Sequence, residues 1–507
     1  MKNHRQPNKN ITAAWVIGKL VLLLNVAMAL VLVVGLISTK MLPGKFLAVI
    51  IAFLALISIL IGCLVRKPKY VVRYGLGLFI AILMCLLYGF GASYVFKGLN
   101  TAKSITTVRT ETAAVGIYVL ADDQRNYGEN AGTYTYGILR EQDRENTDEA
   151  IAQIEQEYGV TLKTNEYDGL SQLIDGLFDT QVDAIIMNSA YLDLLSDMEG
   201  YESAADRLRE VQVQKVEREV VVEPTEIPED RLVGTVTQTD TDGSSQQDGM
   251  IFTVYISGID NRGALIAKSR SDVNIIAAVN TATHQVALIS TPRDFYVPLS
   301  ISGGVPDKLT HAGIYGVNVS MDTLALLYNV NVDYYFRVNF GGFKDIIDAL
   351  GGVTVNSDVS FSTGSYSFSQ GENYVTGDAA LAFVRERYAF ASGDRQRGKN
   401  QMAMIKAVIN KAISPELLVS YNSLMDALSG SFETSVPYDT ISAIVRDQLD
   451  GGGSWNVVSY SADGYGDSQI PYSMSQYAYV MVPYQDTVET AKRLIAQVYN
   501  GEIISAP

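Results

Sequence analysis

Three apolar runs at the front of this sequence, Leu20 to Ser38, Phe46 to Val65 and Tyr74 to Phe96, constrain its fold more than any other feature. Each reaches the roughly 20 residues that an α-helix needs to cross ~30 Å of hydrocarbon. A cleavable signal peptide is the competing account of the first run. That run exceeds the ~7–15-residue apolar core of such a peptide, and two more runs follow it. The sequence therefore predicts a three-helix membrane anchor over residues 1–97. Lys2, Arg5, Lys9 and Lys19 precede the first run, and Arg66, Lys67, Lys69 and Arg73 fill the second loop. Basic flanks stay cytoplasmic, so the N-terminus is expected inside and everything after about Lys97 outside the cytoplasmic membrane.

Charge divides the chain the same way. It carries 39 Lys+Arg and 55 Asp+Glu, and residues 1–110 hold 13 of the basic residues and no acid. This leaves 26 basic against 55 acidic residues in the remainder, a net of −29. Nucleic-acid binding, which wants a basic face, is not expected, although a locally basic site can sit in an acidic surface. Cys63 and Cys85 both fall in the apolar runs, so disulfides and cysteine chemistry are excluded outside the membrane.

Beyond the anchor, short β-rich runs alternate with helical ones. Val115–Leu120, Val160–Asn165 and Val182–Met187 read as strands, and Thr147–Tyr158 and Leu170–Phe178 as helices. That alternation predicts a small α/β accessory domain over residues 98–210. Its acids Asp122, Asp123 and Asp168 read as solvated surface and caps. Residues 211–249 turn charged and then polar, the composition of a linker, with Val220–Val222 able to add an edge strand. The last domain spans 250–507. IFTVYISGID and HQVALIST read as strands, SDVNIIAAVN as a helix capped by Ser271, and GGFKDIIDALGG as a helix closed by glycine. The expected fold class is α/β, with a central mixed sheet flanked by helices.

Polar residues collect where the elements of this last domain end, the usual place for ligands in α/β sheets. Asp260 and Arg262 follow the first strand, Arg270 and Asp272 open the presumed helix, and Arg293 and Asp294 follow the next strand. In FVRERYAFASGDRQRGKNQ, strand alternation places Arg385 and Arg387 on one face. Asp394, Arg397 and Gln401 then share one face of the following helix. Guanidinium forks match phosphate oxygens bidentately, so these arginines fit a ligand with more than one phosphate. Surface arginine–carboxylate pairs fit the spacing equally well.

Together SGIDNRG, SRSDVN, ISTPRDFYV, DKLTHAGIYG, VNFGGFKDIIDALGGVTV and FVRERYAFASGDRQRGKNQ resemble the LytR-CpsA-Psr family, in family order and over about 250 residues. The anchor and accessory domain look most like its capsule-associated CpsA branch. The resemblance implies a phosphotransferase that moves a glycan, such as a capsular polysaccharide or teichoic-acid-like polymer, from polyprenyl pyrophosphate to peptidoglycan. It implies Mg2+ on Asp260 and Asp272. Arg270, Arg293, Arg385, Arg387 and Arg397 would face pyrophosphate, with Asp394 and Gln401 as further polar positions. It implies a Gram-positive cell membrane, a peptidoglycan acceptor and capsule-biosynthesis membrane proteins as partners. Where relatives often have a second Gln this chain has Asn400, and the lone His311 reads as structural. An apolar groove for the lipid is expected along Ile346–Leu350 and Ile405–Ile409, with core packing as the competing account. A polyprenyl-pyrophosphate hydrolase and a non-catalytic, lipid-glycan-binding regulator remain the alternative functions.

Overall fold

The structure is a computed structural model that describes residues 9–196, 198, 200–221, 232–233, 249–259, 269–412, 430, 432–451, 453–474 and 476–507. Two compact units divide the chain, one of residues 1–104 and 437–453, the other of residues 105–436 and 454–507.

Three helices, Lys9–Ser38, Gly44–Val65 and Val71–Thr107, dominate the first unit, and all are long and apolar enough to cross a membrane. They pack through Ala29, Leu54 and Tyr88, one from each helix. Leu23, Phe53 and Phe90 stay on the outside of the bundle, as a lipid-facing surface requires. A short helix from the distant C-terminal region, Tyr438–Leu449, belongs to this unit too. The Tyr438 hydroxyl donates to the Thr39 carbonyl at 2.7 Å. Lys40 pairs with Asp439 and Lys45 with Asp450, each at 2.8 Å. Residues 437–453, expected in the last domain, thus cluster with the loop between the first two membrane helices.

In the second unit the accessory domain is a five-stranded sheet in the order Lys163–Tyr167, Thr135–Leu139, Ala184–Asn188, Val108–Leu120, Leu208–Val221. The alternating side chains of Ala113–Leu120 feed both faces, because successive residues of a strand point opposite ways. Val115, Ile117 and Val119 pack with Ile154 of helix Arg144–Tyr158. Tyr118 packs with Leu173 and Leu177 of helix Leu170–Phe178. The segment from Val211, read as linker, is strand as far as Val221, pairing antiparallel with Val108–Leu120 at the sheet edge. Asp123 is no solvated surface acid: it accepts from the Arg125 guanidinium at 2.8 Å and from the Tyr134 hydroxyl at 3.1 Å.

The C-terminal domain is built on a mixed sheet in the order Phe432–Thr434, Tyr334–Asn339, Gly249–Ile259, Val273–Asn280, Gln285–Ser290, Asn456–Ser461. Helices Val317–Tyr328 and Gln485–Tyr499 cover one face, where Ile276 and Ile289 meet Leu324 and Leu494. Helix Asp394–Ala412 lies on the other, where Ile275 and Leu288 meet Met402. The expected α/β sandwich is present. SDVNIIAAVN, however, is a strand, Val273–Asn280, and not a helix. Ile275 and Ile276 are both buried on opposite faces of the sheet, and a strand covered on both faces reads as a continuous apolar run without alternation. Likewise Arg385 ends a helix, Gly377–Arg385, instead of lying in a strand. The Ala-rich stretch before it favours helix, and Phe383 is fully buried.

Of the residues expected to line a lipid groove, Ile347 and Leu350 are core, packed with Val353, Phe383 and Met404. Ile405 packs on the sheet, and Val408 on that same second core.

Candidate functional site

Strand directions bring four strand ends to one rim of the central sheet. Gly249–Ile259, Tyr334–Asn339, Gln285–Ser290 and Asn456–Ser461 all end there, while the antiparallel Val273–Asn280 begins there. Asp272, immediately before that strand, therefore faces Arg293, three residues after Ser290. Arg293 Nη1 donates to Asp272 Oδ1 at 2.6 Å, and its Nε lies 3.7 Å from Asp294 Oδ2.

Helix Asp394–Ala412 starts beside this pair. Gly398 allows the close approach, since a Cβ there would stand 3.2 Å from the Ser290 hydroxyl. Asp394 accepts from Arg397 Nη2 at 3.1 Å, and its other oxygen lies 3.8 Å from Arg387 Nη1. Arg387 in turn donates to the Tyr388 hydroxyl at 2.6 Å. A narrow cleft lined by Asp272, Arg293, Asp394, Arg397 and Gln401 continues the site. It adjoins a cavity of about 580 Å³ lined by Arg293, Asp294, Lys308, Arg387, Asp394 and Tyr479.

Electrostatics distinguish these arginines. Burial disfavours the Arg293 charge, but Asp272 and Asp294 outweigh it and its pKa is raised. For Arg397, burial dominates, Asp394 opposes it, Arg293 adds repulsion, and the pKa is lowered. Guanidinium still does not deprotonate in water, so both stay charged, and two cations sharing a half-buried site favour an incoming anion. Each guanidinium has five N–H donors, of which Arg293, Arg387 and Arg397 spend few on the described residues.

Not every expected residue joins this cluster. Arg385 stacks on the Phe340 ring, 4.3 Å from its centroid. Arg270 reaches the accessory domain, its Nε 3.5 Å from Asp193 Oδ2. Gln401 lines the cleft and donates to the Val384 carbonyl at 3.4 Å. Asn400 is buried and bonded to the Phe383 carbonyl at 3.2 Å, a structural role. His311 is fully buried, with Nδ1 2.7 Å from Asp307 and 2.9 Å from Ser473 Oγ. Asp260 and Arg262 lie outside the described residues. Lys308 and Tyr479 line the cavity without having been singled out in the sequence. Lys308 stands in the DKLTHAGIYG run but carries no periodic signal, and Tyr479 comes from a distant strand, Ala478–Pro483.

Among the described residues no three His, Cys, Asp or Glu side chains form a metal cage. A cation that keeps waters and takes one or two carboxylates plus substrate oxygens needs no such cage. Asp272 suits it, since Arg293 engages only Oδ1.

The fold and site define a class: an α/β protein with three helices long and apolar enough to cross a membrane and a cleft lined by arginines and aspartates at the ends of its sheet strands. The model of the LytR_cpsA_psr family matches residues 229–485, just over half of the chain, and the chain belongs to that family. It is 37% identical over 188 residues to the polyisoprenyl-teichoic acid–peptidoglycan teichoic acid transferase TagU of Bacillus cereus, covering 37% of this chain and 61% of that protein. The same transferase of Enterococcus faecalis is 30% identical over 223 residues, 44% of this chain and 73% of the relative. The crystal structure of Bacillus subtilis TagV aligns with 49% of this chain and 97% of its own at 23% identity, with a TM-score of 0.42.

Proposed function

We propose that this protein is a phosphotransferase that moves a glycan from a polyprenyl pyrophosphate carrier onto peptidoglycan through a phosphodiester bond. The observation that carries the reading is the meeting of Arg293 and Arg397 with Asp272 and Asp394 in a cleft that adjoins the cavity lined by Arg387. Membership of a family whose similar proteins are named as teichoic acid transferases supports it. The glycan would be a capsular polysaccharide or a teichoic-acid-like polymer, with capsule-biosynthesis membrane proteins as neighbours.

An acceptor hydroxyl attacks the sugar-bound phosphorus and gives up its proton to solvent, a new P–O bond forms, and polyprenyl phosphate leaves with the electron pair of the broken P–O bond. Charge builds on the leaving and equatorial oxygens, where preorganised guanidinium donors stabilise it most. Arg293 is held by Asp272, and Arg387 and Arg397 by Asp394, so these aspartates fix the forks before substrate arrives. Mg2+, held by Asp272 together with Asp260, would neutralise further phosphate charge. The apolar membrane helices keep the chain at the bilayer that carries the donor. In this reading the basic loop Arg66–Arg73 is cytoplasmic and both later domains face the wall.

Product analysis tests it. Incubating the full chain in membranes with a polyprenyl-pyrophosphate-linked glycan and peptidoglycan should yield glycan on muropeptides. Free phosphorylated glycan alone would mean that water is the acceptor and that the protein is a hydrolase.

A further inference from the structure

The accessory domain touches the segment that carries Arg270 and Asp272. Arg270 Nε lies 3.5 Å from the Asp193 carboxylate, and its Nη1 donates to the Asp193 carbonyl at 3.4 Å. Asp193 stands on helix Tyr191–Ser196, whose neighbours Leu194 and Leu195 belong to one accessory core. Ile314, Met474 and Ala478 of the C-terminal domain are buried in that same core. The contact is therefore continuous apolar packing with an ion pair at its rim.

From that packing a short path leads to the site. Gly313, next to Ile314, lies so close to the Arg270 segment that a Cβ would stand 2.4 Å from the Ser269 carbonyl and 3.0 Å from the Ser271 nitrogen. The Ser271 N–H also donates to the Thr310 carbonyl at 3.2 Å. Residues 269–271 are thus clamped between the 310–314 turn and Asp193, and the next residue, Asp272, holds Arg293 at 2.6 Å.

We propose that the accessory domain is a positioning element for the phosphate site and that Asp193 is a positioning residue acting through Arg270. The proposal rests on the reading of the site as a pyrophosphate site. An unheld arginine loses much rotamer freedom when it meets a ligand, and a carboxylate that already orients the guanidinium removes part of that loss. The effect is read in donor binding, because Asp193 orients the Arg270 guanidinium before the donor arrives.

The test is a double-mutant cycle on the full chain in membranes, with a polyprenyl-pyrophosphate-linked disaccharide as donor and a peptidoglycan oligosaccharide as acceptor. Asp193 is largely exposed, so its replacement leaves folding intact. Asp193→Ala should raise the donor KM about two- to fivefold, the range that an exposed ion pair supports, with kcat within about twofold. Asp193→Glu should recover most of the loss. In an Arg270→Ala background, Asp193→Ala should change nothing further. An unmoved KM, or an equal further rise in the Arg270→Ala background, overturns the positioning role. Arg293→Ala, run alongside, separates the two readings. Wild-type turnover in that variant overturns the pyrophosphate site and this proposal together. Lost turnover there, with an unmoved KM in Asp193→Ala, overturns only the proposal.

Discussion

Arg293 and Asp272 approach to 2.6 Å across the mouth of two antiparallel strands, both side chains mostly shielded from water. Removing one member of such a pair leaves the other charge half-desolvated, with Asp294 still 3.7 Å from Arg293. Asp272→Ala is expected to lower stability by roughly 1–3 kcal/mol, less than a fully buried pair would lose. Thermal unfolding in detergent measures this. An unchanged midpoint would mean that the pair contributes nothing to the fold.

The two arginines on Asp394 should respond differently to lysine. Arg397 is 14% exposed and bonded to Asp394, whereas Arg387 is 35% exposed and more distant. Lysine keeps the charge and loses the fork. Arg397→Lys is therefore expected to lower turnover by about 10²-fold, the scale of one preorganised donor, and Arg387→Lys by less. Equal, small effects in steady-state assays would show that charge alone suffices.

Acid should loosen the accessory domain through Asp123. Hydrogen bonds from Arg125 lead the effects on this carboxyl and lower its pKa to about 2. A carboxylate whose pKa is depressed by folding stabilises the native state above its ordinary pKa near 4. That contribution fades as pH falls toward 2. The wild-type chain should therefore lose more stability between pH 4 and 2 than Asp123→Asn, which cannot titrate. Parallel pH profiles of unfolding would contradict this.

The helix Tyr438–Leu449 should depend on the loop between the first two membrane helices. Tyr438 bonds to Thr39, and Lys40 and Lys45 pair with Asp439 and Asp450. Each exposed pair is weak alone, but deleting the first two membrane helices removes all three contacts. Hydrogen exchange in residues 438–449 should then quicken in the truncated chain. Unchanged protection would show that the helix is held elsewhere, and that the first two membrane helices serve as anchor alone.

Legibility followed periodicity. Helix Leu170–Phe178 was readable to the residue because its apolar spacing is helical, and the membrane helices because nothing but length and apolarity defines them. Val273–Asn280 was misread since a strand buried on both faces has no period to detect. The pairs Arg293–Asp272 and Arg397–Asp394 were foreseeable as a gathering of charges at element ends. Contacts set only by tertiary packing were not: Arg270 on Asp193, Arg385 on Phe340, Lys308 and Tyr479 at the cavity, and residues 437–453 beside Thr39 and Lys45. Each joins segments whose separation in sequence carries no local signal.

Arg293 joins the cleft to the cavity and is oriented by Asp272, so its guanidinium is the group on which the transfer should depend most. The measurement is the rate at which glycan appears on muropeptides, at saturating donor, in membranes carrying wild-type chain or Arg293→Ala. If preorganised guanidinium donors drive the transfer, the variant should be slower by roughly 10²–10³-fold while still folded and membrane-bound. Wild-type rates of muropeptide-linked product in Arg293→Ala would show that this guanidinium takes no part in the transfer.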